Sequence, residues 1–162
     1  MKNWMQALRD SLKPGAIASL TTGAMLAWRG RLDSGSALAP INASTHVVWG
    51  DQAAQVGGCT LRHTLPGLAI NAGACLWWAL VLQKLFGTKV DEGGLPRALM
   101  AGAATAGLSY LVDYHLLPRR LSPGWELSLT PRSLALALTA MGAGLALGSW
   151  LSTHPERQPA SA

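Results

Sequence analysis

The chain has 162 residues, of which 49% are hydrophobic and only 13% charged, with a net charge of +5. A charged fraction so far below the roughly 25% of soluble domains, with apolar residues gathered in blocks, argues against an ordinary water-soluble domain. The basic residues flank those blocks instead of lining one stripe with interleaved aromatics, which excludes a nucleic-acid-binding surface.

The opening stretch MKNWMQALRDSLKPG carries Asp10 and leads to no small-residue cleavage site. It reads as part of a retained first helix and not as a secretory signal. The first apolar block follows, PGAIASLTTGAMLAW over residues 14–28. At 1.5 Å per residue it reaches roughly 22 Å, short of the ~30 Å hydrocarbon core, and Thr21 and Thr22 weaken it further. An interfacial extension through Trp4, Met5, Leu8 and Leu12 is the expected remedy.

Residues 29–64 form a long loop. Within it, Pro40 and the following INASTHVVWGDQAA predict a short helix with His46, Val47 and Gly50 near one face. Such a segment either lies in the interface or dips back into the bilayer, where protein or water must satisfy its backbone.

Three further blocks reach spanning length: residues 65–86, 95–117 and 131–151. Pro14, Pro66, Pro96 and Pro131 stand at the four starts, where a missing N–H costs nothing and φ is already helical. Thr130 is a natural N-cap for the last helix. Small residues recur every fourth position, as in Gly15, Ser19, Gly23 and Ala27, in Ala98, Gly102 and Ala106, and in Ala140, Gly144 and Gly148. Such faces let helices approach closely. Packing within the chain is their first reading, and a homo-oligomer their second.

An even number of crossings places both termini on one side, with Lys2, Arg9, Lys13, Lys84, Lys89, Arg97 and Arg157. The other side collects Arg29, Arg31, Arg62, Arg119, Arg120 and Arg132. This near-balance, read with the positive-inside rule, leans to cytoplasmic termini. It also gathers chemistry at one end: His46, Asp51 and His63 from the first loop join Tyr110, Asp113 and His115 at the close of the third helix.

Histidines and carboxylates are metal ligands and also the groups of a membrane proton relay. No HxxxH or HxxE pair occurs, however, and Asp113 and His115 lie about 200° apart on a helix. Tyr110 and Asp113, three residues apart, make the better local pair. Ordinary interfacial side chains remain the first reading of all of them. Asn71, inside the second block, reads as an interhelical hydrogen-bonding group. No GxSxG elbow and no phosphate-cradling glycine loop appears, so no metal and no cofactor is expected. Cys59 and Cys75 read as free thiols.

The stretch VDYHLLPRRLSPGWELSLTPRSLALALTAMGAGLALG, residues 112–148, joins Asp-Tyr, a proline with basic residues, a Pro-Gly-aromatic-Glu turn and an apolar final helix. It resembles the C-terminal half of small, uncharacterised proteobacterial four-helix inner-membrane proteins. The resemblance implies a bacterial inner-membrane location and supplies no activity.

The sequence therefore predicts an all-α polytopic membrane protein, residues 1–162 forming one integral membrane domain of four transmembrane helices with a long loop between the first two. Its expected role is structural or accessory, through the lipid bilayer and partners, and not enzymatic. A small-solute or proton-linked transporter working as an oligomer is the second reading, and a membrane-embedded metal-dependent enzyme the third.

Overall fold

The computed structural model describes residues 1–153; Arg157, counted above on the terminal side, lies outside them. Asn3 accepts the Gln6 backbone N–H at 2.8 Å, and the Gln6 side chain accepts that of Asn3 at 3.3 Å. This reciprocal cap satisfies two of the free donors at a helix start, and it starts α1 (Trp4–Asp33) well upstream of Pro14. The buried residues of α1 follow an i, i+4 ridge through Pro14, Ala18, Thr22, Leu26 and Gly30.

The loop expected over residues 29–64 is largely folded. It holds two short helices, α2 (Ala39–Ala43) and α3 (His46–Trp49), and a 3₁₀ turn over Asp51–Gln55. All five residues of α2 are buried. Next comes α4 (Thr64–Leu111), which passes into a π-helical turn over Val112–Leu116. Short 3₁₀ turns at Arg119–Leu121 and Trp125–Leu127 lead to α5 (Pro131–Thr153). At the start of α5 the Thr130 hydroxyl accepts from the Ser133 N–H at 3.4 Å, a long version of the expected cap.

One residue inside α4 is not helical: Gly94, at φ +59° and ψ −148°. That conformation is close to forbidden for any side chain. The Trp78 indole nonetheless donates to the Asp113 carboxylate at 3.1 Å. In a straight helix residues 78 and 113 stand about 52 Å apart, so the chain doubles back at Gly94 and the two arms of α4 lie side by side.

Four separate transmembrane helices are not what forms. Among the described residues only two helices, Thr64–Leu116 and Pro131–Thr153, are long and apolar enough to cross a membrane. Two physical causes account for the difference. The segment 87–94, expected to be a loop, stays helical up to Gly94, so the second and third predicted helices are one bent run. In α1 the buried ridge and its neighbours carry Ser11, Pro14, Gly15, Thr22 and Gly30, which hold the helix below the apolar content of a span.

Helices α1, α4 and α5 pack against one another. Small residues set the close approaches. Gly102 lies against the Gly142 carbonyl, Gly144 against Ala18 and Thr21, and Gly148 against Pro14, while the Thr21 hydroxyl donates to the Ala140 carbonyl at 3.0 Å. Gly23 faces open space, so the predicted face through Gly15 and Gly23 is not one contact surface. Leu26, Trp78, Leu82, Met141 and Leu145 join in one apolar core. Both thiols are free, Cys75 buried and Cys59 exposed.

Candidate functional site

At the end of the molecule where α1 and the second arm of α4 finish and α5 starts, α2, buried throughout, and α3, buried at His46, form a plug. Three glycines seat it. A Cβ on Gly30 would stand 2.6 Å from the Pro40 ring, and one on Gly67 would collide with the Ile41 carbonyl. One on Gly124 would stand 2.6 Å from the Ala43 carbonyl oxygen. Gly124 also takes φ +78°, the left-handed region that glycine adopts at no steric cost.

Asn42 is the hub. Its amide donates to the Val56 and Gly58 carbonyls at 2.6 and 3.0 Å, and its side-chain carbonyl accepts from the Thr64 hydroxyl at 2.9 Å. The Thr45 hydroxyl donates its single proton to the Asn42 backbone carbonyl at 2.7 Å. The same hydroxyl lies 3.0 Å from His63 Nδ1. The Trp49 ring meets His63 edge-on at 5.1 Å, with the Arg62 guanidinium 5.4 Å over that indole.

His46 is 2% exposed. Its Nε2 donates to the Ser122 carbonyl at 2.9 Å, which fixes the ring's orientation and leaves Nδ1 3.6 Å from Asp51. Asp51 in turn pairs with Arg119 at 3.3 Å on the open surface, where such a pair contributes little. Arg120 donates to the Val47 and Val48 carbonyls. These bonds fasten the segment 118–130 onto the segment 29–64, so the two loops share one end of the molecule.

Asn71 ties this cap to α4. Its amide donates to Ser44 Oγ at 3.2 Å and to the Gly67 carbonyl at 2.9 Å, and its oxygen accepts the Trp125 indole N–H at 2.9 Å. The end of α1 is fastened to the start of α5 through Asp33, which accepts from the Thr130 N–H and hydroxyl at 2.8 and 2.9 Å and from Arg29 at 3.2 Å. The hydrogen bond from Ser133, with those of Thr130 and the charge of Arg29, holds the Asp33 carboxyl below the usual carboxylate range.

The remaining expected site residues form a second group. Tyr110 meets the Tyr114 ring at 5.6 Å and the His115 ring at 4.9 Å, while the hydrogen bond of Asp113 goes to Trp78. His46, Asp51, His63 and Asn71 are thus gathered in and around the plug, and Tyr110, Asp113 and His115 at the end of α4. Among the described residues no three His, Cys, Asp or Glu side chains come together in a way that could hold a metal ion. Between the groups, Glu126 accepts from the Ser122 hydroxyl at 2.5 Å. The Tyr114 hydroxyl, the second Glu126 oxygen and the Ser128 hydroxyl are buried without a hydrogen-bond partner.

At the opposite end, the Lys2 ammonium reaches Asp10 at 2.7 Å, Gln83 at 3.0 Å and Asp91 at 2.9 Å. Burial alone lowers the affinity of Lys2 for its proton, but the bonds and charges of Asp10 and Asp91 outweigh it and hold the group above its ordinary value.

Sequence reasoning missed Asn42, Thr45, Ser122, Trp125 and Trp78. A run of small polar residues inside an otherwise apolar segment, NAST after Pro40, was the available signal for the first two.

Among the described residues these elements define an all-helical fold with two helices long and apolar enough to cross a membrane and a polar plug at one end. No family model matches it, and no curated protein or solved structure matches it either.

Proposed function

We propose that this is a small multi-pass integral protein of the bacterial inner membrane, with a structural or accessory role exercised through lipids and partner proteins. One observation carries the reading: the polar side chains of the plug are taken up by one another. Asn42, Thr45, His46, Thr64 and Asn71 each have their partners inside the protein, as a structural knot requires and as a reaction centre, which keeps groups free for substrate, does not. Two grooves along α5 are apolar instead, while the cavity at its far end is polar, lined by Lys2, Asp10, Gln83, Asp91 and Ser149. The groove between α4 and α5, of about 700 Å³, touches the expected site only at Tyr110, and that between α1 and α5 is about 440 Å³.

Membrane fractionation with alkaline carbonate tests the location: the chain is expected in the pellet until detergent is added. Release by carbonate, as a monodisperse species without detergent, overturns the proposal. For the role, purified protein in liposomes is expected to pass neither protons nor small solutes.

A second reading, a proton-linked conduit, is favoured by the unpaired buried oxygens of Tyr114, Glu126 and Ser128. Buried polar atoms without partners are costly, and water or a proton in transit would satisfy them. A proton flux in liposomes that Glu126→Gln abolishes would replace the first reading with this one.

A further inference from the structure

The groove of about 700 Å³ between the second arm of α4 and α5 falls within the ~300–1,000 Å³ of small-molecule sites. Small residues open it: Ala103, Ala106 and Gly107 on α4, and Ala135, Gly142 and Ala143 on α5. No acidic or basic side chain lines it. The Thr139 hydroxyl on its wall donates to the Ala135 carbonyl at 2.8 Å, so its polarity is spent inside the helix. The two helices run antiparallel, which puts Tyr110 and Pro131 at one end of the groove and Leu99 and Ala146 at the other. Leu99 to Tyr110 is about 16 Å and Pro131 to Ala146 about 22 Å. One leaflet of the ~30 Å hydrocarbon core is about 15 Å deep.

The two ends of the groove differ. Beside Pro131 stands Arg132, exposed on the first turn of α5. It precedes Thr139 by seven positions and Ala143 by eleven, within about 20° of each on a helix, so it lies on the strip of α5 that lines the groove. Among the described residues nothing pairs with its guanidinium, and nothing hydrogen-bonds the Tyr110 hydroxyl. Asp33, also at the start of α5, is taken up by Arg29 and Thr130. An apolar channel about one leaflet long thus ends at a free cation and a free tyrosine hydroxyl. Arginine matches phosphate oxygens in geometry and charge, and tyrosine is enriched at the headgroup level.

We propose that this groove is a binding site for an anionic phospholipid, with one acyl chain between α4 and α5 and the headgroup phosphate on Arg132 and Tyr110. The inference rests on the membrane location proposed above and names the lipid class. A second copy of the chain fits the groove less well. A two-fold dimer sets the same patch on both subunits, so concave would face concave. The two Arg132 side chains would also meet at one depth with no carboxylate between them.

The test uses the full chain in liposomes of phosphatidylcholine and phosphatidylglycerol in equal parts. A diazirine is carried at the acyl-chain end of one lipid or the other, and cross-linked residues are mapped. Labelling at Leu99 and Ala143 is expected to be several-fold higher from phosphatidylglycerol. Trp77, exposed on the first arm of α4, should take label equally from both. Arg132→Gln should equalise the two lipids in the groove. Gly107→Leu, whose Cβ meets nothing within 4 Å, should fill the groove and remove its label while Trp77 keeps its own. Equal groove labelling by the two lipids in the unaltered chain, or a preference that survives Arg132→Gln, overturns the inference and spares the membrane location. So does a groove without label beside a labelled Trp77, the outcome expected if a second copy covers it. Absence of label from the whole chain removes the location itself.

Discussion

The Trp125 indole donates to the Asn71 side chain across 2.9 Å, joining residues 54 positions apart in the chain. Both are buried, so the bond fixes the loop before α5 to the first arm of α4 where water is scarce. Trp125→Phe leaves the Asn71 oxygen without its donor. We expect a loss of about 1–2 kcal/mol, read as a lower thermal midpoint in detergent. Asn71→Leu should cost a similar amount, and the double variant less than the sum. Additive losses would mean the bond does not form.

The seat of the plug predicts an asymmetry between glycines. Gly67→Ala drives a methyl group into the Ile41 carbonyl, and backbone cannot yield as a side chain tip can. A loss of about 1–3 kcal/mol or more follows. Gly23→Ala meets nothing within 4 Å and removes a flexible residue from a helix interior, a gain of up to about 1 kcal/mol. Thermal midpoints moving in opposite directions are the expected result; equal losses would contradict the close approach of α2 to α4.

The reversal in α4 predicts another contrast, between neighbours. Gly94→Ala must hold a side chain at φ +59°, ψ −148°, at about 1–3 kcal/mol. At Gly93 the atoms nearest a Cβ belong to the side chain of Arg97, which can swing aside, so Gly93→Ala should cost clearly less. Should the two variants melt alike, the bend is not at residue 94.

Acid should loosen the junction of α1 and α5. Asp33 binds its proton less readily folded than unfolded. Its contribution is therefore present above its ordinary value and lost as pH falls through the lower folded value, below about pH 4. Asp33→Asn should be less stable than the wild type at pH 7, with the gap narrowing at pH 3. A constant gap would show that the carboxylate's charge plays no part. Lys2 runs the opposite way. Its affinity for the proton is raised on folding, so its contribution is full below the ordinary lysine value and fades as pH rises through the higher folded one.

The helical class was legible from the apolar blocks and their prolines. Loops 29–64 and 118–130 do share one end, but through contacts such as Arg120 to the Val47 and Val48 carbonyls, and not through the four crossings from which the sequence argued it. Pro96 does follow the break at Gly94, and Pro131 does open α5. The stretch GTKVDEGG was misread as a loop because its charges and glycines resemble one. It remains helical while Asp91 is held by Lys2 from the far end of the chain, a partner no local window contains. The helical extension through Trp4, Met5, Leu8 and Leu12 was legible, and α1 does start at Trp4; what was overlooked is the cap, since Asn3 and Gln6 stand at the spacing of a reciprocal one. The Asn42 hub was not, because Val56, Gly58 and Thr64 reach it from 14, 16 and 22 residues away. Asp113 looked paired with Tyr110 on helical spacing, yet the bend at Gly94 brings Trp78 to it.

The seating of α2 against Gly124 sets an order of events at the ribosome. Gly124 emerges long after Ala43, and at ~5–20 residues per second the wait is of the order of 4–16 s. During that interval His46 has not yet met the Ser122 carbonyl, nor Asn71 the Trp125 indole. The nascent chain therefore has to keep its half-built lid hydrated, at the water's edge, until the last helix begins.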